Sequence, residues 1–267
     1  MTNNIFHCVD MNEAPYICVL INSILSNTKN RSLLKFHILT DCNNTSEYIE
    51  KSIRKLSISD AQYMIKHINE DDTHFIKSTM RINDISNPYI HNIMNFARFW
   101  LPQYFEDCNN GLYLDIDTIV IGDIAEIFEK YDLDITKLYA VRLYETNHKI
   151  HNIIKKNGYE FFNAGLYYFD CKYWRDNNLT DECKNIMIKH KNSKDGLFHL
   201  GTQPILNIIF FEKYAELPKE WNVMGIGYSQ TSETNLQNGK MIHWCGSNKP
   251  WHSECRYREY WEKYNIT

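Results

Sequence analysis

Apolar runs alternate with amphipathic stretches over about the first 70 residues, and this rhythm constrains the fold more than any other feature of the chain. Ile5–Val9, Leu34–Thr40 and Ala61–Ile68 read as strands, with helical stretches Ala14–Ser26 and Ser46–Leu56 between them. Connections of that length exceed a hairpin turn and suit helical crossovers between parallel strands. Pro15 fits the first turn of the first helix, where its missing N–H costs little. The expected class is α/β, a mostly parallel, twisted sheet flanked by helices. No repeat, linker or low-complexity tract interrupts the 267 residues, so one domain is expected over 1–267.

Further along, Ile90–Trp100 reads as a helix, Gly111–Asp115 as a strand and Ile124–Tyr131 as a short helix. Lys137–Arg142 and Phe162–Asp170 read as strands, and Thr180–His190 and Thr202–Phe211 as helices. The polar segment Asp71–Asn87, followed by Pro88, is expected to be a surface excursion. In open α/β sheets, ligands bind beyond the carboxyl ends of the strands. Asp10, Asp41, Asp115 and Asp117 all fall just past expected strand ends. Asp115 and Asp117 are two apart in Gly111-Leu-Tyr-Leu-Asp-Ile-Asp-Thr-Ile-Val120, so along an extended chain they leave on the same side. Two converging oxygens suit a hard divalent cation that also holds a phosphate.

Composition removes several classes. The 29 basic and 33 acidic residues give a net charge of −4 and no basic stripe, which speaks against nucleic acid as a partner. Eight cysteines without a C-x-x-C pair fit a reduced set of small buried residues. Met1-Thr-Asn-Asn has no basic stretch leading into an apolar region, and no apolar run is long enough to span a bilayer. The expectation is a soluble, cytoplasmic protein without a signal peptide or transmembrane segment. Tyr257, Tyr260, Trp261 and Tyr264 have helical spacing, open to packing against the body or to peripheral membrane contact.

Five blocks in order resemble glycosyltransferase family 8, which includes bacterial lipo-oligosaccharide galactosyltransferases, their glucosyltransferase relatives and glycogenin. They are Cys8-Val-Asp-Met-Asn12 with Tyr16, Asn95-Phe-Ala-Arg98, Gly111–Val120, Phe162-Asn-Ala-Gly165, and His243-Trp-Cys-Gly-Ser-Asn-Lys-Pro-Trp251, which continues to His252 and Cys255. The resemblance implies a single GT-A-type, Rossmann-like domain, nucleotide-binding over about 1–120 and acceptor-side over about 121–267. It also implies a metal-dependent, retaining hexosyltransferase. Such an enzyme moves glucose or galactose from UDP-glucose or UDP-galactose to a hydroxyl of a glycan, glycolipid or protein. Mn²⁺ is the expected cation, with Mg²⁺ as the alternative.

By resemblance, Asp115, Asp117 and His243 are the metal ligands. Cys8, Asp10, Asn12, Arg98, Ile116, Ala164, Gly246 and Lys249 would bind the UDP-sugar beside Asp115 and Asp117. Without the resemblance, Asp10 reads equally as an Asx turn or helix cap, and Arg98 as a partly buried ion pair. Gln203, Asn163 and Thr202 are the catalytic candidates. In Gly201-Thr-Gln-Pro204 the family usually has Asp where Thr202 stands, which puts donor identity and turnover at issue. Two other readings exist. Leu112–Val120 also matches the first motif of haloacid-dehalogenase-type phosphatases, although it lies mid-chain and no acidic pair after a strand follows. A nucleotide-sugar or carbohydrate-binding module without turnover is the second.

Overall fold

The computed structural model describes residues 2–80, 92–143, 160–191, 201–227 and 233–266. Nine strands are present among them: β1 Asn3–Val9, β2 Leu34–Thr40, β3 Tyr63–His67, β4 Asn110–Leu114, β5 Thr118–Val120, β6 Leu138–Arg142, β7 Phe162–Asp170, β8 Tyr214–Glu216 and β9 Met241–His243. Seven form one sheet in the order β3-β2-β1-β4-β7-β6-β8. Within it β7 alone runs against its neighbours, so the sheet is mostly parallel, as the alternation of the first 70 residues requires.

Each face of this sheet carries its own apolar layer, because successive side chains point to opposite sides. From β1, Ile5 and Val9 join Ile17, Leu20, Ile21 and Ile24 of helix Ile17–Asn27 on one face. Phe6 and Cys8 join Phe96, Phe99, Trp174 and Phe210 on the other. Strand β7 is buried along its length except at Asp170, and its continuous apolar run is what a strand covered on both faces demands. The order of β1, β2 and β3 around the first crossover leaves their carboxyl ends, with that of β4, at one edge of the molecule. The second sheet is a small antiparallel ribbon of β5 and β9 that pairs Thr118 with His243.

Several boundaries differ from the sequence reading, the second helix lying at Asn43–Ile53 in place of Ser46–Leu56. The first helix starts at Ile17, because Asp10–Tyr16 is a run of turns in which the Asp10 carbonyl accepts from the N–H groups of Glu13 and Ala14. The stretch expected as one helix to Trp100 is helix Ile93–Ala97, a 3-10 turn Arg98–Trp100 and a further turn Leu101–Tyr104. Pro102 has no N–H for an interior helix bond, so the chain tightens before it. The expected surface excursion contains a helix, Glu70–Thr79. Asn69 caps it by accepting from the Asp72 N–H, and three acidic residues of its first turn favour its positive end. Residues 81–87 of that excursion lie outside the described residues.

All eight cysteines are free thiols, and only Cys42 is fully exposed. Among the described residues no helix is long and apolar enough to cross a membrane. The C-terminal aromatics pack inward: Trp261 and Tyr264 join Val19, Ile119 and Trp244, and the Tyr264 hydroxyl accepts from Asn27.

Candidate metal and donor site

The β5–β9 ribbon carries the C-terminal histidine to the carboxylates. Asp115 leaves the end of β4 with its N–H donating to the Gly165 carbonyl at 2.9 Å, while the Trp244 N–H donates to the Asp117 carbonyl at 3.0 Å. The Thr118 hydroxyl closes the turn onto the Asp115 carbonyl. Asp115, Asp117 and His243 consequently each bring a ligand atom within 4.8 Å of the other two. His243 Nε2 lies 3.3 Å from Asp117 Oδ1 and 3.8 Å from Asp115 Oδ2. Two carboxylates and an imidazole nitrogen converging at low exposure are a donor set that fits a divalent cation, and the mixed oxygen and nitrogen suit Mn²⁺ or Mg²⁺.

Two cations flank this trio. Arg98, buried against the face of Tyr113, donates to Asp115 Oδ1 at 3.0 Å, to the Ala164 carbonyl at 2.9 Å and to the backbone and side-chain oxygens of Asn95. Lys249 Nζ donates to Asp117 Oδ2, and both residues are buried. Burial by itself disfavours either charge. The Lys249 ammonium nevertheless holds the Asp117 carboxyl well below the usual carboxylate range, and Asp117 raises the Lys249 ammonium in return. Both are therefore charged at neutral pH.

The first-strand residues surround the same edge. Asp10 is buried, with Oδ1 accepting from the N–H groups of Asn12 and Glu13, and Oδ2 from the side chains of Asn12 and Asn92. The turn-forming role of Asp10 is thus present in full. Asn12 is exposed beside it, and Cys8 is buried two residues earlier in β1, its thiol pushed up by burial. The Ile116 side chain is in the core, so only its backbone can face a ligand. Gly246 has φ of 101°, a conformation few other residues adopt without strain, and it opens the loop that carries Lys249. That loop is fastened by Trp251, stacked on Tyr16 with centroids 4.2 Å apart and planes 4° from parallel.

Behind the cations lies a buried amide network. Gln203 Oε1 accepts from the Ala164 N–H at 3.0 Å and from Asn163 at 3.1 Å. Thr202 is buried, and its hydroxyl donates to Asn95 Oδ1, the oxygen that also accepts from Arg98. Thr202 therefore reaches the site through Asn95 and Arg98. Gly165 lies under the His243 ring, which a Cβ there would overlap.

Three participants were absent from the sequence reading. Asn222 touches both Asn163 and His243, and Asn92 touches Asp10; their partners are far away in the chain, so no spacing reveals them. Glu13 sits half-buried among Asp10, Asp115, Asp117 and Lys249. Burial first, and Asp10 next, raise its carboxyl to about 8. The folded state then keeps a proton that the unfolded chain has lost, so stability declines as pH rises from the ordinary glutamate range towards 8. With a chelator present, Glu13→Gln is expected to flatten that decline. The gain at pH 8 is about 1 kcal/mol, roughly 2–4 °C in Tm, kept modest because the carboxyl is partly exposed and screened. Melting curves of both proteins across this range check it.

Comparison with known proteins agrees on one family. The profile of glycosyl transferase family 8 matches residues 4–255. Human glycosyltransferase 8 domain-containing protein 1 is 27% identical over 277 residues, covering 92% of this chain and 72% of its own. Among solved structures, the galactosyltransferase LgtC in complex with donor and acceptor sugar analogs superposes with a TM-score of 0.76 at 23% identity, covering 98% of this chain and 94% of that one. An active-site mutant of LgtC gives a TM-score of 0.78 at 22% identity with the same coverage.

Proposed function

The chain belongs to glycosyltransferase family 8, and from that premise we propose that it is a metal-dependent, retaining hexosyltransferase. Its donor is a UDP-sugar, UDP-glucose or UDP-galactose, and its acceptor is a hydroxyl of a glycan, glycolipid or protein. The observation that carries this reading is the convergence of Asp115, Asp117 and His243 between Arg98 and Lys249. The two carboxylates and the two cations balance one another. A divalent cation adds charge that an anionic diphosphate offsets, so cation and donor bind more tightly together than apart. When bound, the cation neutralises charge developing on the departing diphosphate.

The chain's own residues supply the rest. Arg98 holds Asp115 in place, and Lys249, on the Gly246 loop beside Asp117, would supply a point charge to a phosphate. Asp10, Asn12 and the backbone near Cys8 would hold the uridine, with Ile116 and Ala164 contributing backbone. Gln203 Oε1 is held by two donors, and attack by that oxygen would break both bonds. The geometry favours front-face transfer, with the leaving phosphate oxygen taking the acceptor proton and Gln203 and Asn163 shaping the sugar pocket. Thr202 tunes that pocket through Asn95.

UDP release from UDP-glucose and UDP-galactose, with Mn²⁺, with Mg²⁺ and with a chelator, tests the proposal; cation-independent release or none from either donor would refute it. The anomeric configuration of the product, read by NMR, tests retention. Binding without turnover would instead favour the carbohydrate-binding module. In the same assay Trp251→Ala is expected to raise the donor KM by roughly 2- to 10-fold with kcat nearly unchanged, since an aromatic stack is worth about 0.5–1.5 kcal/mol. Trp251→Phe should keep most of the affinity.

A further inference from the structure

We infer that Asn222 is the positioning residue that presents His243 to the cation, an inference that rests on the metal site proposed above. An amide side chain can point either way, so the orientation must come from groups that can only donate. The Gly165 N–H is one, and it lies 2.9 Å from the Asn163 side chain; the atom facing it is therefore Oδ1. Asn222 approaches that same oxygen at 2.9 Å and can do so only with Nδ2. Its remaining oxygen then faces His243 Nδ1 at 3.0 Å. An oxygen accepts, so the hydrogen is on Nδ1, and in the neutral ring Nε2 carries the lone pair.

The other end of the network gives the same answer. The Ala164 N–H fixes Gln203 Oε1 as an acceptor, and Asn163 reaches that oxygen with Nδ2, which again leaves its Oδ1 for Gly165 and Asn222. Two backbone N–H groups of β7 thus dictate the tautomer of a histidine on β9. Asn222 and His243 are both 2% exposed, so solvent cannot replace this chain of bonds. Asn222 is held in register because the neighbouring Val223 bridges to β9: its N–H donates to the Met241 carbonyl, and the His243 N–H donates to the Val223 carbonyl. The outcome is an Nε2 lone pair aimed at oxygens of Asp115 and Asp117, acceptors facing an acceptor until a cation lies between them. The same amide chain links the metal ligand to Gln203.

The test uses the full chain without donor. Long-range ¹H–¹⁵N NMR of the histidine rings, with His243→Gln identifying the signals, reads which nitrogen keeps its proton in the neutral ring. The expected result is Nδ1 in the wild type and loss of that preference in Asn222→Leu. Titration of free Mn²⁺ by electron paramagnetic resonance is expected to show Asn222→Leu binding roughly 10- to 100-fold more weakly. An Nε2-bound proton in the wild type, or a leucine variant that binds Mn²⁺ as tightly as wild type, overturns the inference. The wild-type tautomer decides the matter even if the leucine variant does not fold. A wild type that binds no Mn²⁺ but keeps the Nδ1 proton refutes the metal site while leaving the orientation by Asn222 intact.

Discussion

Asp117→Asn is expected to reduce cation-dependent UDP release by at least about 10³-fold and to lower stability by roughly 3–5 kcal/mol. The activity loss follows from removing one charged oxygen of a three-residue ligand set. The stability loss has a separate origin. Lys249 is buried with its ammonium against Asp117 Oδ2, and an amide in that position takes away the carboxylate that the ammonium touches. A buried ion that loses its hydrogen-bonded partner costs more than the pair was worth. The two effects can be separated by the double substitution Asp117→Asn with Lys249→Met, which removes the stranded charge. It should recover most of the lost Tm and none of the turnover. A single variant with wild-type turnover would strike Asp117 from the ligand set, and a double variant as unstable as the single would show that the ion pair is not the cause. The pairing also explains why both residues are charged: each is the other's counter-ion.

What could be read from the sequence followed how local the physics was. Strands β1 to β3 came from apolar alternation, and the two carboxylates of the D-x-D turn came from strand periodicity alone, because both are set within a few residues. The break at Pro102 was also visible in principle, since proline stops a helix wherever it falls past the first turn. The pairing of β5 with β9 was not, because it joins three-residue strands more than a hundred residues apart. His243 entered only through resemblance. The amide network was the least legible part, because an asparagine such as Asn222 or Asn95 looks like any loop or helix residue until its partner is in place. Thr202 shows the same limit: the resemblance made it a catalytic candidate, whereas its depth places Asn95 and Arg98 between it and the carboxylates.

Gly165→Ala is expected to weaken Mn²⁺ binding by at least about 100-fold and to cost roughly 1–3 kcal/mol of stability. The cause is space, since the backbone at Gly165 is ordinary strand. A methyl group there overlaps the His243 ring and crowds Asn163 Oδ1. Neither side can yield without loss. The strand is pinned by the Asp115 N–H on the Gly165 carbonyl and by the Gly165 N–H on Asn163. If the ring moves instead, it gives up its bond to Asn222 and the aim of Nε2 at the carboxylates. Gly111→Ala supplies the control, because a Cβ at that position overlaps the Phe6 ring in the apolar layer away from the metal ligands. Both alanines should lower Tm by several degrees, but only the one at 165 should lose the cation, measured as Mn²⁺ bound per folded molecule. Equal retention of Mn²⁺ by the two variants would mean that the contact between Gly165 and the imidazole is packing and nothing more.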